Sequence, residues 1–566
     1  MTAPELDRRR FVTLLSAAMG ASATVPALLA AEGGDLTAAV IAQAEKLAGL
    51  EFTEPERELM KKGLEDLRES YRKIRQVPLP NSVAPALRFD PAPPEIQSVA
   101  KEPAVAAARP GKSEPVPSNL EDLAFWPITR LAPLLREGKV RSVDLTRMYL
   151  GRLRRLDPVL HAVITYTEER ALEQAERADR EIAAGRYRGP LHGIPWGAKD
   201  LLAVRGYPTT WGSPIFKEQV FDEDATVVER LEKAGAVLVA KLSLGELARG
   251  DVWFGGMTRN PWNLEQGSSG SSAGSAAATV AGGVAFGIGS ETLGSIVSPS
   301  TRNGATGLRP TFGRVSRHGA MTLCWSLDKL GPLARSAEDC ALVFEAIHGP
   351  DGKDATVVDR PFVWNPGLDV KKLRVGYARS LFEQKPAEGQ EEWHDLDLAA
   401  LEALRGLGVE LRPIELPKEL PIDALRVILT AEAAAAFDEL TRSGQDDRMV
   451  QQTENAWPNS FRQGQTVPAV AYIQANRVRT LLMREMDRLF ADLDACVVPT
   501  FAGSGILLTN LTGHPAVVVP DGFRKDGTPT SLTFLGRLYG EAEALALARA
   551  FQEATGFHLW HPELKT

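Results

Sequence analysis

Between residues 267 and 310 the chain is dominated by Gly, Ala, Ser and Thr, which carry small side chains. The segment opens with GSSGSSAGS at residues 267–275 and continues into the apolar run VAFGI at residues 284–288. A flexible linker would normally border another polar or proline-rich stretch, whereas this segment leads straight into an apolar one. Small residues let backbones approach closely, and serines at a helix start can offer hydroxyls or backbone N–H groups. We therefore expect closely packed helix and strand elements that place serines for chemistry.

A second small-residue turn, ETLGSI at residues 291–296, follows the apolar run. Serine after a tight turn at a strand end is favourable for a nucleophile, because successive backbone N–H groups can converge on an oxyanion beside it. A serine hydroxyl is a weak nucleophile at its own pKa and needs an adjacent base. None of the eight histidines lies in a recognisable triad motif. Another residue type is therefore considered as the base.

Lys199 is the candidate for that base. It closes residues 189–198, which carry no charge unless His192 is protonated. Burial disfavours a charged amine and can lower its pKa until the neutral form accepts a proton. A single lysine is far more often solvated than buried. The assignment therefore depends on the motifs that accompany it.

Four motifs together resemble the amidase-signature family. They are GIPWGAKD at residues 193–200, GSSAGS at residues 270–275, GSIVSP at residues 294–299 and GATGLRP at residues 304–310. Further similarity, including NPW at residues 260–262 and GHPA at residues 513–516, extends the match over about residues 119–560. The resemblance implies an α/β fold, in which one large domain has a central mixed β-sheet flanked by helices. It also implies an amidase, a hydrolase that cleaves a linear carboxamide C–N bond.

The family's catalytic unit is a Ser–Ser–Lys triad. Ser295 follows Ser271 by 24 residues, the separation of the two catalytic serines in the family. The resemblance therefore implies Ser295 as the nucleophile, Ser271 as the bridging serine and Lys199 as the base. It also implies a cis peptide bond before Ser271. We expect neutral Lys199 to draw a proton through Ser271 from Ser295, which forms an acyl-enzyme.

The same resemblance implies an oxyanion hole made of the backbone N–H groups of Thr292, Leu293, Gly294 and Ser295. The family usually has Asp-x-Gly-Gly-Ser-Ile-Arg where this chain has ETLGSIV. Leu293 adds bulk where a glycine would let backbone and substrate approach, and Val297 removes a charge near the site. Because the triad is intact, these departures bear on the substrate more than on the activity. The resemblance implies no cofactor and no metal.

The first 31 residues are interpreted as a twin-arginine-type signal peptide. RRRFV at residues 8–12 precedes an apolar run that ends near Ala31, which fits a charged region followed by a hydrophobic one. An arginine pair before an apolar residue resembles the twin-arginine signal. A membrane anchor is the alternative, but the run is too short and too rich in small residues for a span. We expect an exported, periplasmic or secreted protein without stable membrane insertion after signal removal.

Three regions are predicted after the signal. Residues 32–77 form a helical extension, in which Thr53 and Glu56 are a capping-box pair. Residues 78–118 are a linker or a wrapping arm, because ten prolines between residues 78 and 117 exclude long helices. Residues 119–566 are the amidase-signature catalytic domain. There, helical segments alternate with apolar runs as in a layered α/β fold, the helices at 143–155 and 226–233 and the runs at 237–240, 373–377, 496–498 and 516–519.

Charge and cysteine content narrow the partners. A formal net charge of -8, with no dense Lys/Arg stripe beyond the N-terminus, argues against nucleic acid. The expected partner is a small-molecule or peptide amide substrate, and no motif specifies an oligomeric state. Cys324, Cys340 and Cys496 are predicted to be buried thiols, with a Cys324–Cys340 bridge as the alternative. No cysteine or histidine cluster has metal-ligand spacing.

Three other interpretations stay open. An amidotransferase A-type subunit that acts on misacylated tRNA shares these motifs, although the export signal and the acidic chain argue against it. GSSAG at residues 270–274 also fits the G-x-S-x-G pattern of an α/β-hydrolase-like esterase, with Ser272 as nucleophile. Residues 260–266 are a poor strand for that elbow. A catalytically silent binding protein on the same scaffold is the third.

Five aromatic residues are candidates for a substrate pocket, although aromatic side chains are more often part of a core. They are Trp211, Trp253, Phe254, Trp325 and Trp457.

Overall fold

A computed structural model describes residues 36–77 and 113–564 of the chain. The predicted signal at residues 1–31 and most of the predicted proline-rich segment at residues 78–118 lie outside the described residues. Within those two described ranges, no helix combines the length and the apolar composition needed to cross a bilayer.

An 11-stranded mixed sheet forms the centre of the fold. From one edge to the other its strands are β1 (Val163–Tyr166), β3 (Val237–Leu242), β2 (Pro195–Lys199), β8 (Phe286–Glu291), β10 (Lys329–Ala334), β9 (Thr306–Arg309), β14 (Ala516–Phe523), β15 (Pro529–Gly536), β13 (Ala495–Pro499), β11 (Val375–Ala378) and β12 (Leu411–Ile414). Strand β2 is parallel to β3 and β8, and β11 is parallel to β12 and β13, whereas the other pairs are antiparallel. Two short hairpins lie outside this sheet, β4 (Val252–Trp253) with β5 (Gly256–Met257) and β6 (Arg259–Asn260) with β7 (Asn263–Gly267).

Helices flank the sheet in the described residues. In chain order they are α1 (Ala38–Ala48), α2 (Glu54–Gln76), α3 (Ile128–Arg136), α4 (Ser142–Leu160), α5 (Glu168–Ala183), α6 (Thr226–Lys233), α7 (Ala273–Val280), α8 (Val297–Asn303), α9 (Ala337–Ile347), α10 (Arg379–Glu383), α11 (Glu391–Gly406), α12 (Val427–Ala436), α13 (Asp438–Arg442), α14 (Trp457–Gly464), α15 (Ala469–Phe490), α16 (Gly505–Thr512) and α17 (Glu541–Thr555). The predicted α/β fold with a mixed sheet between helices is confirmed.

The predicted helices and strands coincide with observed elements. The segments at 143–155 and 226–233 lie in α4 and α6, and the apolar runs lie in or overlap β3, β11, β13 and β14. Strand β11 starts only at Val375, because Leu373 still belongs to a 3-10 turn. The N–H of Leu373 donates a hydrogen bond to the Val370 carbonyl oxygen in that turn. Residues 263–267 form strand β7, so the expectation of a poor strand was wrong there. That strand belongs to a hairpin and is separated from α7 by five residues, which is not a sharp strand-to-helix elbow.

The small residues of segment 267–310 serve close packing of α7 against β8. Every residue of α7 and of β8 is buried. A Cβ on Gly289 would lie 2.6 Å from Ser272 Oγ, and one on Gly287 would lie 3.0 Å from Ser275 Cβ. Side chains larger than hydrogen at these positions would force helix and strand apart.

Helix α2 is tied to the body of the fold by buried charge. Arg462 on α14 lies 2.6 Å from Glu56, 2.8 Å from Asp446 and 2.9 Å from Asp447. These three carboxylates are close enough to one another to resemble a metal site. Because the guanidinium already contacts all three, the cluster is an ion-pair junction between the N-terminal helices and α14.

All three cysteines are buried and unpaired, so the alternative of a Cys324–Cys340 bridge was wrong. Cys324 Sγ lies 3.2 Å from a carboxylate oxygen of Glu432, whereas Cys340 Sγ lies 3.6 Å from the Thr306 carbonyl oxygen in a different part of the core.

Candidate active site

Lys199 ends strand β2 with its side chain completely buried, at 0% exposure. Its Nζ lies 2.8 Å from Ser271 Oγ, 3.0 Å from Ser272 Oγ and 2.9 Å from Ser290 Oγ. The Ser290 carbonyl oxygen, at 3.4 Å, is a fourth neighbour. The amine is therefore surrounded by uncharged oxygens, and it forms no ion pair with any residue that the structure describes.

This environment favours the neutral amine. Burial lowers the pKa of Lys199 well below the usual 10.5, and the more distant charges of Asp328 and Glu291 only oppose that shift in part. The next residue in the chain behaves differently. Asp200 lies 2.6 Å from Lys241, and both side chains are fully buried. Two buried lysines near the ends of β2 and β3 thus have different partners: Lys241 contacts a carboxylate, whereas Lys199 contacts only uncharged oxygens.

Ser271 and Ser272 lie on the turn that leads into α7. The Gly270–Ser271 peptide bond is cis, as the resemblance implied. Both side chains are completely buried. Ser272 Oγ also donates to the Ser290 carbonyl oxygen and accepts from the Ser290 N–H, both at 3.2 Å. Both hydroxyls thus contact the amine of Lys199, and Ser272 is in addition bonded to the backbone of β8.

Ser295 lies on the turn between β8 and α8, and it retains 8% exposure. Its carbonyl oxygen accepts the Ser272 N–H at 3.1 Å, which places the two serine-bearing turns against each other. Within the described part of the chain, Ser295 Oγ makes no hydrogen bond. The structure therefore joins Lys199 to Ser271 by a hydrogen bond and places the turn of Ser295 directly against the turn that carries Ser271 and Ser272.

The turn before α8 presents free backbone donors. Gly294 has a φ of +85°, a left-handed conformation that favours glycine. Among the described residues, no acceptor is bonded to the N–H groups of Thr292, Leu293, Gly294 and Ser295. Consecutive unbonded N–H groups around a left-handed residue form a concavity suited to an anion. These are the four groups that the resemblance implied for the oxyanion hole.

The carboxylate of Glu291 fixes this turn by hydrogen bonds to its backbone. It accepts the N–H groups of Ile296 at 2.8 Å and Val297 at 2.9 Å, the two residues after Ser295. Arg309 donates at 2.8 Å and Asn510 at 2.7 Å to the other carboxylate oxygen. Although burial opposes ionisation, the Arg309 guanidinium and these hydrogen bonds lower the pKa of Glu291 to about 2. The residue is charged, and its charge fixes the start of α8.

Asp328 holds the other side of the turn. It accepts the Thr292 hydroxyl at 2.6 Å and the N–H groups of Leu323 and Cys324 at 2.8 and 2.9 Å. The turn that carries Ser295 is thus fixed at both ends by a carboxyl group. Asp328, Ser290, Arg309 and Asn510 were not predicted as site residues, because no local pattern marks them.

The two departures from the family pattern have clear surroundings. Leu293 packs against the apolar cluster that contains Val297 and Leu507. Val297 is buried in that cluster, and Arg309 supplies a positive charge to Glu291 from strand β9. The side chain of Leu293 therefore packs on that cluster, while its backbone N–H is one of the four groups implied for the oxyanion hole.

The five predicted pocket aromatics are only partly brought together. Trp211 and Trp325 line one cavity. Trp253 and Trp457 are buried and donate to the carbonyl oxygens of His161 and Leu247. Phe254 packs against Trp253 with ring centroids 4.8 Å apart.

The chain resembles known proteins over most of its length. The family model described as Amidase matches residues 144–507. The A subunit of glutamyl-tRNA(Gln) amidotransferase from Geobacter metallireducens is 36% identical over 479 residues, which cover 76% of this chain and 97% of the relative. Its counterpart from Marinomonas sp. is 34% identical over 483 residues, which cover 77% of this chain and 98% of the relative.

The fold also resembles a solved structure over most of its length. The native peptide amidase from Stenotrophomonas maltophilia superposes with a TM-score of 0.68 at 31% identity, covering 77% of this chain and 98% of that chain.

Replacing Glu291 with glutamine is expected to destabilise the turn and to lower kcat. The folded pKa of about 2 lies below the ordinary 4.5, so the stabilisation is present above pH 4.5 and is lost as pH falls towards 2. Glu291→Gln should cost roughly 3 kcal/mol at pH 7, and the difference from the wild type should shrink below about pH 4.5. Denaturant unfolding at several pH values measures this. Exposed Glu265→Gln is the control, and equal stability of Glu291→Gln and wild type at pH 7 would contradict the electrostatic role.

Proposed function

The chain belongs to the amidase-signature family, and we propose that it is an exported amidase that hydrolyses a linear carboxamide bond through an acyl-enzyme on Ser295. The observation that carries the mechanism is the buried amine of Lys199, 2.8 Å from Ser271 Oγ and without an ion-pair partner in the described residues. An unpaired buried amine is costly to a fold unless it is neutral. A neutral amine next to a hydroxyl is a base.

The proton follows one path. Ser295 Oγ attacks the amide carbon and passes its proton to Ser271, while Ser271 passes its own proton to Lys199 Nζ. The carbonyl π-bond opens, and the negative charge moves to the carbonyl oxygen. The link from Lys199 to Ser271 is already formed, and the link from Ser271 to Ser295 is completed when substrate aligns the Ser295 hydroxyl.

The N–H groups of residues 292–295 receive the oxyanion. They have no other acceptor among the described residues, and the left-handed Gly294 in their midst supports this role. Donors that are already oriented need no rearrangement as the charge develops. Glu291 and Asp328 keep the turn in place and do not touch the reacting atoms in this proposal.

Collapse of the intermediate breaks the C–N bond. The proton held on Lys199 returns through Ser271 to the leaving nitrogen, which departs as ammonia or an amine and leaves an ester on Ser295. A water molecule then attacks the ester carbon and gives its proton to the same relay. The free acid leaves, and Ser295 regains its proton.

A second candidate function is that of an amidotransferase A-type subunit, which the named relatives favour. Such a subunit would pass ammonia to a partner chain, so its amide cleavage would depend on that partner. If the purified chain hydrolyses amides without any partner chain, the independent amidase is favoured. The predicted signal sequence favours the same choice.

The esterase interpretation with Ser272 as nucleophile has less support. Ser272 is completely buried, and its hydroxyl donates to the Ser290 carbonyl oxygen and accepts from the Ser290 N–H and from Lys199. Ser295 retains exposure and a free hydroxyl.

Ser295→Ala is expected to lower kcat/KM for an amide roughly 10⁴-fold or more while the fold stays intact, because the nucleophile is removed. Ser271→Ala should cause a comparable loss, since the base no longer reaches the attacking hydroxyl. Ser272→Ala serves as the matched neighbour and should retain far more activity. Amide hydrolysis by the purified chain and circular dichroism measure these effects.

The opposite result would contradict the proposed proton relay. If Ser272→Ala loses activity and Ser295→Ala keeps it, the esterase interpretation with Ser272 as nucleophile is supported. A serine-directed phosphonate should label Ser295. If no adduct forms there, the catalytically silent scaffold is favoured.

The dependence of kcat/KM on pH follows from the state of Lys199. Because burial lowers the pKa of Lys199, the amine is neutral at and above the pH of activity, and protonation at lower pH removes the base. The profile should fall on the acid side and reach a plateau well below pH 10.5. A rate that rises only near pH 10.5 would show a solvated lysine instead. Steady-state kinetics in overlapping buffers provide the profile.

Export by the twin-arginine route is tested with residues 1–35 fused to a reporter that folds in the cytoplasm. The fusion should reach the periplasm, and replacement of Arg8, Arg9 and Arg10 by lysine should stop it although the charge is unchanged. Cell fractionation measures the distribution. Retention of the wild-type fusion in the cytoplasm rules out export, and continued export of the lysine variant rules out the twin-arginine route.

A further inference from the structure

A chamber lies beside a small cavity that borders the proposed catalytic site. The small cavity, of about 200 Å³, is lined by Ser290, whose hydroxyl contacts Lys199, and by Thr292, the first residue of the proposed oxyanion turn. A second cavity of about 670 Å³ shares part of its wall, namely Trp325 and four residues of segment 318–322. A substrate whose amide lies in the small cavity would extend its remaining atoms towards this chamber.

Aromatic rings form one side of the chamber. Trp211, Phe216, Phe221 and Phe437 all line it. The Trp211 ring centroid lies 4.6 Å from that of Phe216 and 6.3 Å from those of Phe221 and Phe437. The Phe437 ring is turned by 76° to Trp211, an edge-on arrangement. A further ring could add to this cluster by offset or edge-to-face contacts, which aromatic groups prefer.

Trp325 stands at the junction of the two cavities with 49% of its surface exposed. Its indole is therefore not held in the core, and a large exposed apolar side chain at a cavity wall is typical of a ligand site. A chamber of this size is within the range of small-molecule sites.

The charges around the chamber exclude one class of substrate. Glu223 and Glu439 line it, and the basic residue of the wall, His318, lies 3.7 Å from Glu223. In the small cavity, Arg317 is paired with Asp354 at 3.0 Å, and Lys353 lies 3.6 Å from Glu229. No unpaired cation of either lining set is available for a substrate carboxylate.

We propose that the chamber binds an aromatic ring of a neutral or cationic amide substrate, with Trp325 as a specificity-determining residue. This inference rests on the proposed amidase function and adds the substrate class to it. Burial of the ring supplies binding energy, and the acidic rim disfavours substrates that carry a carboxylate. The ring can belong to the acyl side or to the amine side of the amide, and the test separates the two.

The first test compares kcat/KM for acetamide, phenylacetamide and N-phenylacetamide. Burial of a phenyl ring should raise kcat/KM roughly 10- to 100-fold over acetamide. A gain with phenylacetamide places the ring on the acyl side, and a gain with N-phenylacetamide places it on the amine side. If acetamide is hydrolysed and neither aromatic amide is preferred, the chamber proposal is wrong and the amidase function stands.

Variants connect the preference to the chamber. Trp325→Ala and Phe221→Ala should each lower the ratio of aromatic to acetamide kcat/KM about 2- to 10-fold. Trp560→Ala is the matched control, because Trp560 is 59% exposed and packs on Phe523 instead. A ratio that changes equally in all three variants would overturn the assignment.

A charge series tests the acidic rim. Phenylacetamide is compared with its 4-aminomethyl and 4-carboxy derivatives, which differ in charge at one ring position. The carboxylate should lower kcat/KM severalfold relative to the parent, and Glu223→Gln with Glu439→Gln should reduce that penalty. A carboxylate that binds as well as the cation would contradict the proposed substrate class.

A binding measurement on a variant that cannot turn over substrate tests the chamber separately from the proposed amidase function. Calorimetry with the Ser295→Ala variant should show tighter binding of the preferred aromatic amide than of acetamide, and the Trp325→Ala substitution added to it should weaken that binding. If the wild type hydrolyses no amide, the proposed function fails, yet this measurement still decides the chamber. Equal binding of aromatic and small amides overturns the inference.

Discussion

The rest of the site depends on one buried amine that contacts no carboxylate among residues 36–77 and 113–564. Lys199 sits at the end of β2 among hydroxyl and carbonyl oxygens. Burial of a charged ammonium in such a place is far more costly than burial of the neutral amine, so the surroundings and not the lysine itself determine its chemistry. Asp200, the next residue in the chain, and Lys241, on the neighbouring strand, show the other way to bury charge. They form an ion pair in which each charge compensates the other. The fold keeps these two arrangements separate.

Close packing makes that environment possible. Lys199 can meet Ser271 and Ser272 only because α7 lies directly on β8, and this needs glycine at positions such as Gly287 and Gly289. The same packing removes water from around the amine. Steric constraint and electrostatics are therefore linked, since a methyl group added between helix and strand would open space for water and favour the charged form.

Around this closely packed centre, buried carboxyl groups fix the turn that carries Ser295, and loops line the chamber proposed for the substrate. Glu291 and Asp328 hold the Ser295 turn at its two sides without approaching the reacting atoms. Arg309 keeps Glu291 ionised from a neighbouring strand, so the turn does not need a charged residue at Val297. The chamber beside the site is lined from segments that follow β2, β9 and α12, elements far apart in the chain. The proposed catalytic groups thus lie on the central sheet and its turns, and the proposed substrate contacts lie on peripheral segments.

The sequence by itself determined the α/β class, the approximate positions of β3, β11, β13 and β14, and the short segments that carry Lys199, Ser271 and Ser295. These are local properties, because strand pattern, small-residue packing and motif spacing are each written in a few consecutive residues. Only the tertiary structure decided which oxygens surround the amine, that Asn510 reaches Glu291, and that Trp211 and Trp325 share a cavity whereas Trp253 and Trp457 do not. Such contacts join residues up to 219 positions apart, as between Glu291 and Asn510. No local pattern encodes them, since they arise from the way the sheet and its helices bring distant segments together.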